Sequence, residues 1–330
     1  MTTALVSKLV DIVRVGNTLG EGVLWDPTAQ RAWWTDIQER RLFRYDPVAR
    51  ALERFELPER LGSFGLVEDS SSIIAAFESG FALYQPESGE LDWIERPAHE
   101  APNMRFNDGR VDRQGRFWAG SMVECAGTPT GKLYCLCPVA TGTVAAPGAA
   151  PGAAPGAATD AASRAASTVW ITGIAIANSI CFSPDGQRLY FADTPHRTIL
   201  RYDLDPGSGA ISNRQIFART PPGAFPDGSH VDAQGHLWNA QWGAGRVVRY
   251  APDGSISGGI VVPATQVTCV AFGGRDLDLL FVTSARQDLS APQLARELNA
   301  GDLFIYQLNV KGLADARFVP THRAGTRRSG

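Results

Sequence analysis

Four short stretches of the chain pair a carboxylate or carboxamide with small neighbours: GEG (20–22), NDG (107–109), ANS (177–179) and PDG (226–228). Small flanking residues let other groups approach closely. Brought together, Glu21, Asn107, Asn178 and Asp227 would offer oxygen donors and two negative charges. Such a set suits one hard or borderline divalent cation: Ca²⁺, Mg²⁺, Mn²⁺, Zn²⁺ or Fe²⁺. Three protein ligands leave positions open for water and substrate, which is the arrangement of a catalytic site. Taken singly, NDG and PDG read as ordinary turns. The chemistry therefore depends on elements that gather residues lying far apart in the chain.

A repeat supplies those elements. Turn signals recur along the chain, carried by 34 glycines and 21 prolines. Segments such as RAWWTDI, SIIAAFE, GRFWAGS, QRLYFADT, GHLWNAQ and LDLLFVTSA each follow a turn and read as short strands. Anchored at Ala32, Ile73, Phe117, Leu189, Leu237 and Leu280, the copies are spaced by 41, 44, 72, 48 and 43 residues. The long interval holds an Ala/Pro/Gly tract, 141–167, whose composition cannot build a packed core. It is expected to be a flexible surface insertion within one repeat. Six copies, each of about four short strands, predict an all-β six-bladed β-propeller spanning 1–330 as a single domain. A solenoid is the alternative, but its repeats are usually shorter and need polar caps. The closing strand is expected from 9–16 or from 316–322.

Counted back from the anchors, Glu21 and Asn178 stand 11 residues earlier, and Asn107 and Asp227 stand 10 earlier. The matching places in the other two copies hold Gly62-Ser63 and Cys269-Val270. In a propeller, equivalent positions lie on a ring around the axis. Four of six blades would thus aim an oxygen donor at one mouth of the channel.

Composition narrows the function classes. A net charge of −3 with no long basic run argues against nucleic acid. No apolar run approaches the roughly 20 residues that span a bilayer, so no membrane partner is expected. The start MTTALVSKLVDIVRVGN lacks the pattern of a signal peptide, and the cytoplasm is expected. Five cysteines fit no metal spacing and read as reduced structural thiols. The histidines also lack ligand spacing. His230, three residues after Asp227, reads as a surface or strand-edge residue. Neither a GxSxG elbow nor a phosphate loop occurs, so serine-based hydrolysis has no support. Trp242 is the tryptophan best placed to wall a pocket. A closed propeller needs no partner, and a monomer is expected.

LGEGVLWD (19–26), RFNDGRVDRQGRFWAGSM (105–122), IANSICFSPDGQRLYFADT (176–194) and FPDGSHVDAQGHLWNAQW (225–242) resemble the senescence marker protein / regucalcin / gluconolactonase family. The likeness runs from about residue 15 to 320, broken by the 141–167 tract. It implies a six-bladed propeller with one divalent metal ion at the channel mouth, Glu21, Asn178 and Asp227 as its ligands, and Arg105 and Asn107 on the hydroxyls of a sugar lactone. An acidic substrate residue of the family falls on Glu124 in SMVECAG, or in the alternative register on Cys125. The implied activity is metal-assisted hydrolysis of a sugar (aldono) lactone, gluconolactone or a pentonolactone, to the sugar acid. The metal would polarise the ring carbonyl and stabilise the oxyanion, and Asp227 is the expected general base. The alternative is a calcium-binding regulatory propeller of regucalcin type with incidental lactonase activity. A phosphotriesterase on a similar propeller would need more ligands than this ring supplies.

Overall fold

A computed structural model describes residues 5–124, 128–137 and 166–320. Cys125 and most of the 141–167 tract lie outside the described residues. The last two residues of that tract, 166 and 167, open a strand, Ala166–Ile174.

Short apolar runs cut by turns let most segments pair with their neighbours in sequence. The result is six four-stranded antiparallel sheets. The six innermost strands are Gly20–Asp26, Leu61–Leu66, Met104–Val111, Ala177–Phe182, Phe225–Val231 and Val267–Gly273. They contact one another in cyclic order, so the sheets are blades around a central channel. The sixth blade takes its outermost strand from the start of the chain: Ser7–Val13 pairs antiparallel with Leu303–Leu308. Of the two closing segments expected, the N-terminal one therefore takes the edge.

Aromatic side chains fill the seams between blades. Trp25 stacks on Phe281 with ring centroids 5.3 Å apart, joining the first blade to the sixth. Trp25, Trp34, Trp118 and Trp238 are fully buried. Two blades share a polar tie inside this packing. Asp112 accepts from Trp118 Nε1 (2.9 Å), and Asp232 accepts from Trp238 Nε1 (3.0 Å). Each carboxylate also faces an arginine, Arg116 and Arg249 respectively, so neither buried charge is left unpaired. The VDxQGxxW repeat thus carries a turn, a strand start and the carboxylate of a buried ion pair.

The C-terminal segment is used at the other end of the channel. Gly312 bridges Asp232, and Phe318 bridges Val67 and is fully buried. Between them Asp315 receives the Arg110 guanidinium, His230 Nε2 (3.2 Å) and the Trp25 amide (3.3 Å). His230 is accordingly buried, and the surface role expected for it is incorrect. Its ring is bound to Asp315, away from the polar ring of the mouth. Among the described residues Cys135, Cys137, Cys181 and Cys269 are free thiols.

Candidate active site

On each inner strand the partner of the anchor residue gives a common origin. These partners are Trp25, Leu66, Val111, Phe182, Val231 and Phe272. Four residues before them stand Glu21, Gly62, Asn107, Asn178, Asp227 and Thr268. The offsets of 10 and 11 counted in sequence are thus one structural position, and only the turn between the two strands varies. In the sixth blade the ring member is Thr268, which corrects the expectation of Cys269-Val270.

The strands are deformed where these residues sit. Register with the second strand jumps between Glu21 and Leu24, Phe106 and Gly109, Asn178 and Cys181, Pro226 and Ser229, and Val267 and Val270. Bulges of this kind re-aim side chains and recur next to active sites. Gly22 adopts a φ of 60° at the bulge, and Ser179 holds 61° at the same place in the fourth blade. A left-handed serine is strained backbone retained by its surroundings. Gly62 leaves the ring bare in the second blade because a Cβ there would lie 2.4 Å from the Phe106 carbonyl oxygen.

The ring residues form one connected network. Asn107 Nδ2 donates to Asn178 Oδ1 (3.1 Å) and to the Ala177 carbonyl (2.9 Å). Asn178 Nδ2 donates to Thr194 Oγ1 (2.8 Å), which donates to the carbonyl of Pro226 beside Asp227 (3.0 Å). Asn239 Nδ2 donates to the Asp227 carbonyl (2.9 Å). The Glu21 and Asp227 carboxyl groups, from the first and fifth blades, lie within hydrogen-bonding reach of each other. Asp108 lies in the same channel, where its two oxygens receive the amides of Gly109 and Ile180.

Arg105 and Glu124 adjoin this ring. Arg105 is buried, donates from Nη1 to Asn107 Oδ1 (2.7 Å) and from Nε to Glu124 Oε1 (2.8 Å). All six residues singled out from sequence, Glu21, Asn178, Asp227, Arg105, Asn107 and Glu124, are therefore gathered at one mouth. Trp242 packs there with Leu19, Ile37 and Ala285. Arg60 and Gln38 also reach this mouth: Arg60 Nη1 donates to Glu124 Oε2 (2.8 Å) and faces Gln38 Oε1 (3.3 Å). Neither belongs to the ring position, so the repeat gave no signal for them.

Electrostatics mark the centre of the ring. Burial, and after it the charge of Asp108, push the Glu21 carboxyl up to about 8. Burial, then Glu21 and Asp108, push Asp227 well above the usual carboxylate range. Two buried carboxyls this close cannot both ionise without a counter-charge. The Arg105 guanidinium is engaged elsewhere, on Glu124, Asn107 and the Phe106 carbonyl. Among the described residues no three His, Cys, Asp or Glu side chains cluster as a metal site. The third oxygen donor here is an amide, Asn178. Two carboxylates and a carboxamide in a polar channel fit a divalent cation, which would take the place of the shared proton.

This sets a pH dependence for the chelated protein. Glu21 has a folded-state pKa above its unfolded value, so its contribution is fully present below about 4.3 and lost as pH rises through about 8. The melting temperature in EDTA is expected to fall between pH 5.5 and 8.5. The gain on adding excess Mn²⁺ should be larger at pH 8.5 than at 5.5. Thermal melts at the two pH values check this; an equal gain at both would contradict it.

Comparison with known proteins agrees with the fold. The family described as SMP-30/Gluconolactonase/LRE-like region matches residues 19–286. L-arabinolactonase of Azospirillum brasilense is 38% identical over 93% of this chain and 94% of its own. 6-deoxy-6-sulfogluconolactonase of Pseudomonas putida is 36% identical over 93% of this chain and 97% of its own. The solved structure of a calcium-binding protein, regucalcin, from Agrobacterium tumefaciens str. C58 superposes with a TM-score of 0.81 at 32% identity, over 94% of this chain and 97% of that one. Matched along most of its length and folded as the same propeller, the chain belongs to the SMP-30/gluconolactonase/LRE-like family.

Proposed function

We propose that the chain is a sugar lactonase that hydrolyses an aldonolactone to the sugar acid at this mouth. Glu21, Asn178 and Asp227 would hold one divalent cation, and Arg105, Asn107 and Glu124 would receive the polyol. The observation that carries the reading is the meeting of Glu21 and Asp227 in a buried pair beside the Asn107–Asn178 amides. The lactonase names of two relatives that align along nearly their whole length support the substrate class.

When bound, the cation supplies Lewis-acid polarisation of the lactone carbonyl. The residues do the rest. Asp227 takes a proton from the attacking water as its oxygen bonds to the carbonyl carbon, and returns it to the ring oxygen as the acyl C–O bond breaks. Arg105 spends Nε and Nη1 on protein acceptors, while Nη2 makes no hydrogen bond among the described residues. That donor can meet a substrate oxygen. Glu124 is half-buried between two arginines, which outweigh its burial and hold its carboxyl below the usual range. It stays an acceptor for a sugar hydroxyl through neutral pH.

A calcium-binding regulatory role is the second reading, favoured by the description of the regucalcin relative as calcium-binding. Arg105, Asn107 and Glu124 have no task in simple cation storage, which weighs toward the enzyme. A panel of aldonolactones, assayed after chelation and with Ca²⁺, Mg²⁺, Mn²⁺, Zn²⁺ or Fe²⁺ restored singly, separates the two. The expected result is lactone turnover that EDTA abolishes and at least one metal restores. Tight Ca²⁺ binding with no turnover under any metal would decide for the second reading.

A further inference from the structure

Arg60 stands just before the second blade's inner strand and, among the described residues, is the side chain of that blade that hydrogen-bonds to Glu124. Its Nη1 donates to Glu124 Oε1 and Oε2 at 2.9 and 2.8 Å. Its Nε and Nη2 form a fork on the Glu78 carboxylate at 2.9 and 2.6 Å. Gln38 completes the wall: its Oε1 faces Arg60 Nη1, and its Nε2 donates to Gln287 Oε1 (3.0 Å). The guanidinium is only 17% exposed, and each of its nitrogens already has a protein acceptor. Arg60 is therefore built to hold other groups rather than to touch a ligand.

The group it holds is Glu124. A carboxylate has about four acceptor sites. Arg105 Nε, Arg60 Nη1 and, at 3.5 Å, Gln38 Nε2 converge on Oε1, while among the described residues Oε2 receives only Arg60 Nη1. One side of Oε2 is left to accept from the channel mouth. Two arginines, from different blades, fix that carboxylate in one place. A free glutamate would sample several rotamers and lose affinity to the entropy of ordering.

We propose that Arg60 is a positioning residue that makes the site selective for polyhydroxylated lactones, by fixing Glu124 as the acceptor for one ring hydroxyl. This rests on the lactonase reading above. A site shaped to bond a hydroxyl discriminates against the analogue that lacks it, because its buried polar groups are then left unpaired. Glu124 is 22% exposed, so the discrimination from this one contact is moderate, about tenfold. Lysine at position 60 would keep the charge but could not bridge two carboxylates with a planar fork.

The test compares two lactones of the same ring, D-glucono-δ-lactone and δ-valerolactone, which carries no hydroxyls. The wild type, Arg60→Ala and Arg60→Lys are assayed with the activating metal present. For Arg60→Ala, KM for gluconolactone is expected to rise about tenfold with kcat lowered less than threefold. The gluconolactone-to-valerolactone ratio of kcat/KM should fall about tenfold, and Arg60→Lys should recover part of it. A parallel loss for both substrates, or an unchanged ratio, would overturn the assignment and leave the lactonase reading standing. Absence of turnover of every aldonolactone of the panel by the wild type, under any metal, would overturn both.

Discussion

Asp227→Asn is expected to lower kcat/KM for the preferred aldonolactone by about a thousandfold or more while raising the melting temperature of the chelated protein at pH 8. The activity loss follows from two tasks lost together. In the proposed mechanism Asp227 is both general base and cation ligand: removing a well-placed general base costs typically 10²–10⁴-fold, and losing a ligand would weaken the hold on a cation proposed to polarise the carbonyl. A thousandfold corresponds to about 4 kcal/mol of transition-state stabilisation. The stability gain follows from the same geometry. Asp227 lies buried against Glu21 and near Asp108, and each raises its pKa. An amide of equal size keeps the packing and removes one of the opposed carboxyls. A site held against its own folding interest is a signature of function rather than structure. Steady-state kinetics and melts in EDTA measure the two effects. A variant that lost activity and stability together would point to a structural role for Asp227.

Asp315→Ala is expected to destabilise the chain by about 3–5 kcal/mol, the usual cost of leaving one member of a buried ion pair alone. Arg110 and His230 both lose their acceptor. The Trp25 amide loses one too. At about 2 °C per kcal/mol for a chain of this size, the melting temperature should fall by roughly 5–10 °C. The ring of Glu21, Asn107, Asn178 and Asp227 lies four residues, or about 13 Å, further along each strand, so KM should change little. A pH effect accompanies this. Burial raises the Asp315 carboxyl, but Arg110 and then His230 outweigh it and hold it well below the usual range. A carboxylate with a depressed folded pKa contributes stability present above about 3.9 and lost as pH falls. Burial and Arg110 lower His230 in turn, so its neutral form is favoured and protonation below about 6.5 also costs stability. Below about pH 3.9 the wild type should therefore lose stability on acidification more steeply than the variant, which has no Asp315 carboxylate to protonate. A pair of compatible apolar residues, Arg110→Met with Asp315→Leu, should recover part of the loss, as replacing a whole buried pair often does. Denaturant melts from pH 2 to pH 8 check both statements.

Sequence alone carried the ring and the repeat, because each ring residue stands at a fixed distance from a strand whose apolar pattern is easy to see. It could not carry the alignment to the last residue. The turn joining the first two strands of a blade varies in length, so counting from the second strand gave 10 for Asn107 and 11 for Asn178. In the sixth blade the same counting missed Thr268 by one residue or more. Strand pairing removes the ambiguity, since Phe272 faces Leu280 directly. Arg60 left no periodic trace, because its role depends on side-chain length and on a partner in another blade. Asp315 was equally hidden: ADARFVP has no strand alternation, and its value lies in where the channel lets the tail settle. His230 shows the converse error. It read as a surface or strand-edge residue, yet three residues along an inner strand from Asp227 carry it toward the other end of the channel, where it is buried.

The most direct measurement is calorimetric titration of Mn²⁺ into the chelator-stripped chain, for the wild type and for Glu21→Gln, Asn178→Ala and Asp227→Asn. One equivalent should bind to the wild type, and each substitution should weaken that binding by about a hundredfold or more. Equal binding by all four proteins, or lactone turnover by a wild type that binds no cation, would contradict a shared ion held by these three side chains.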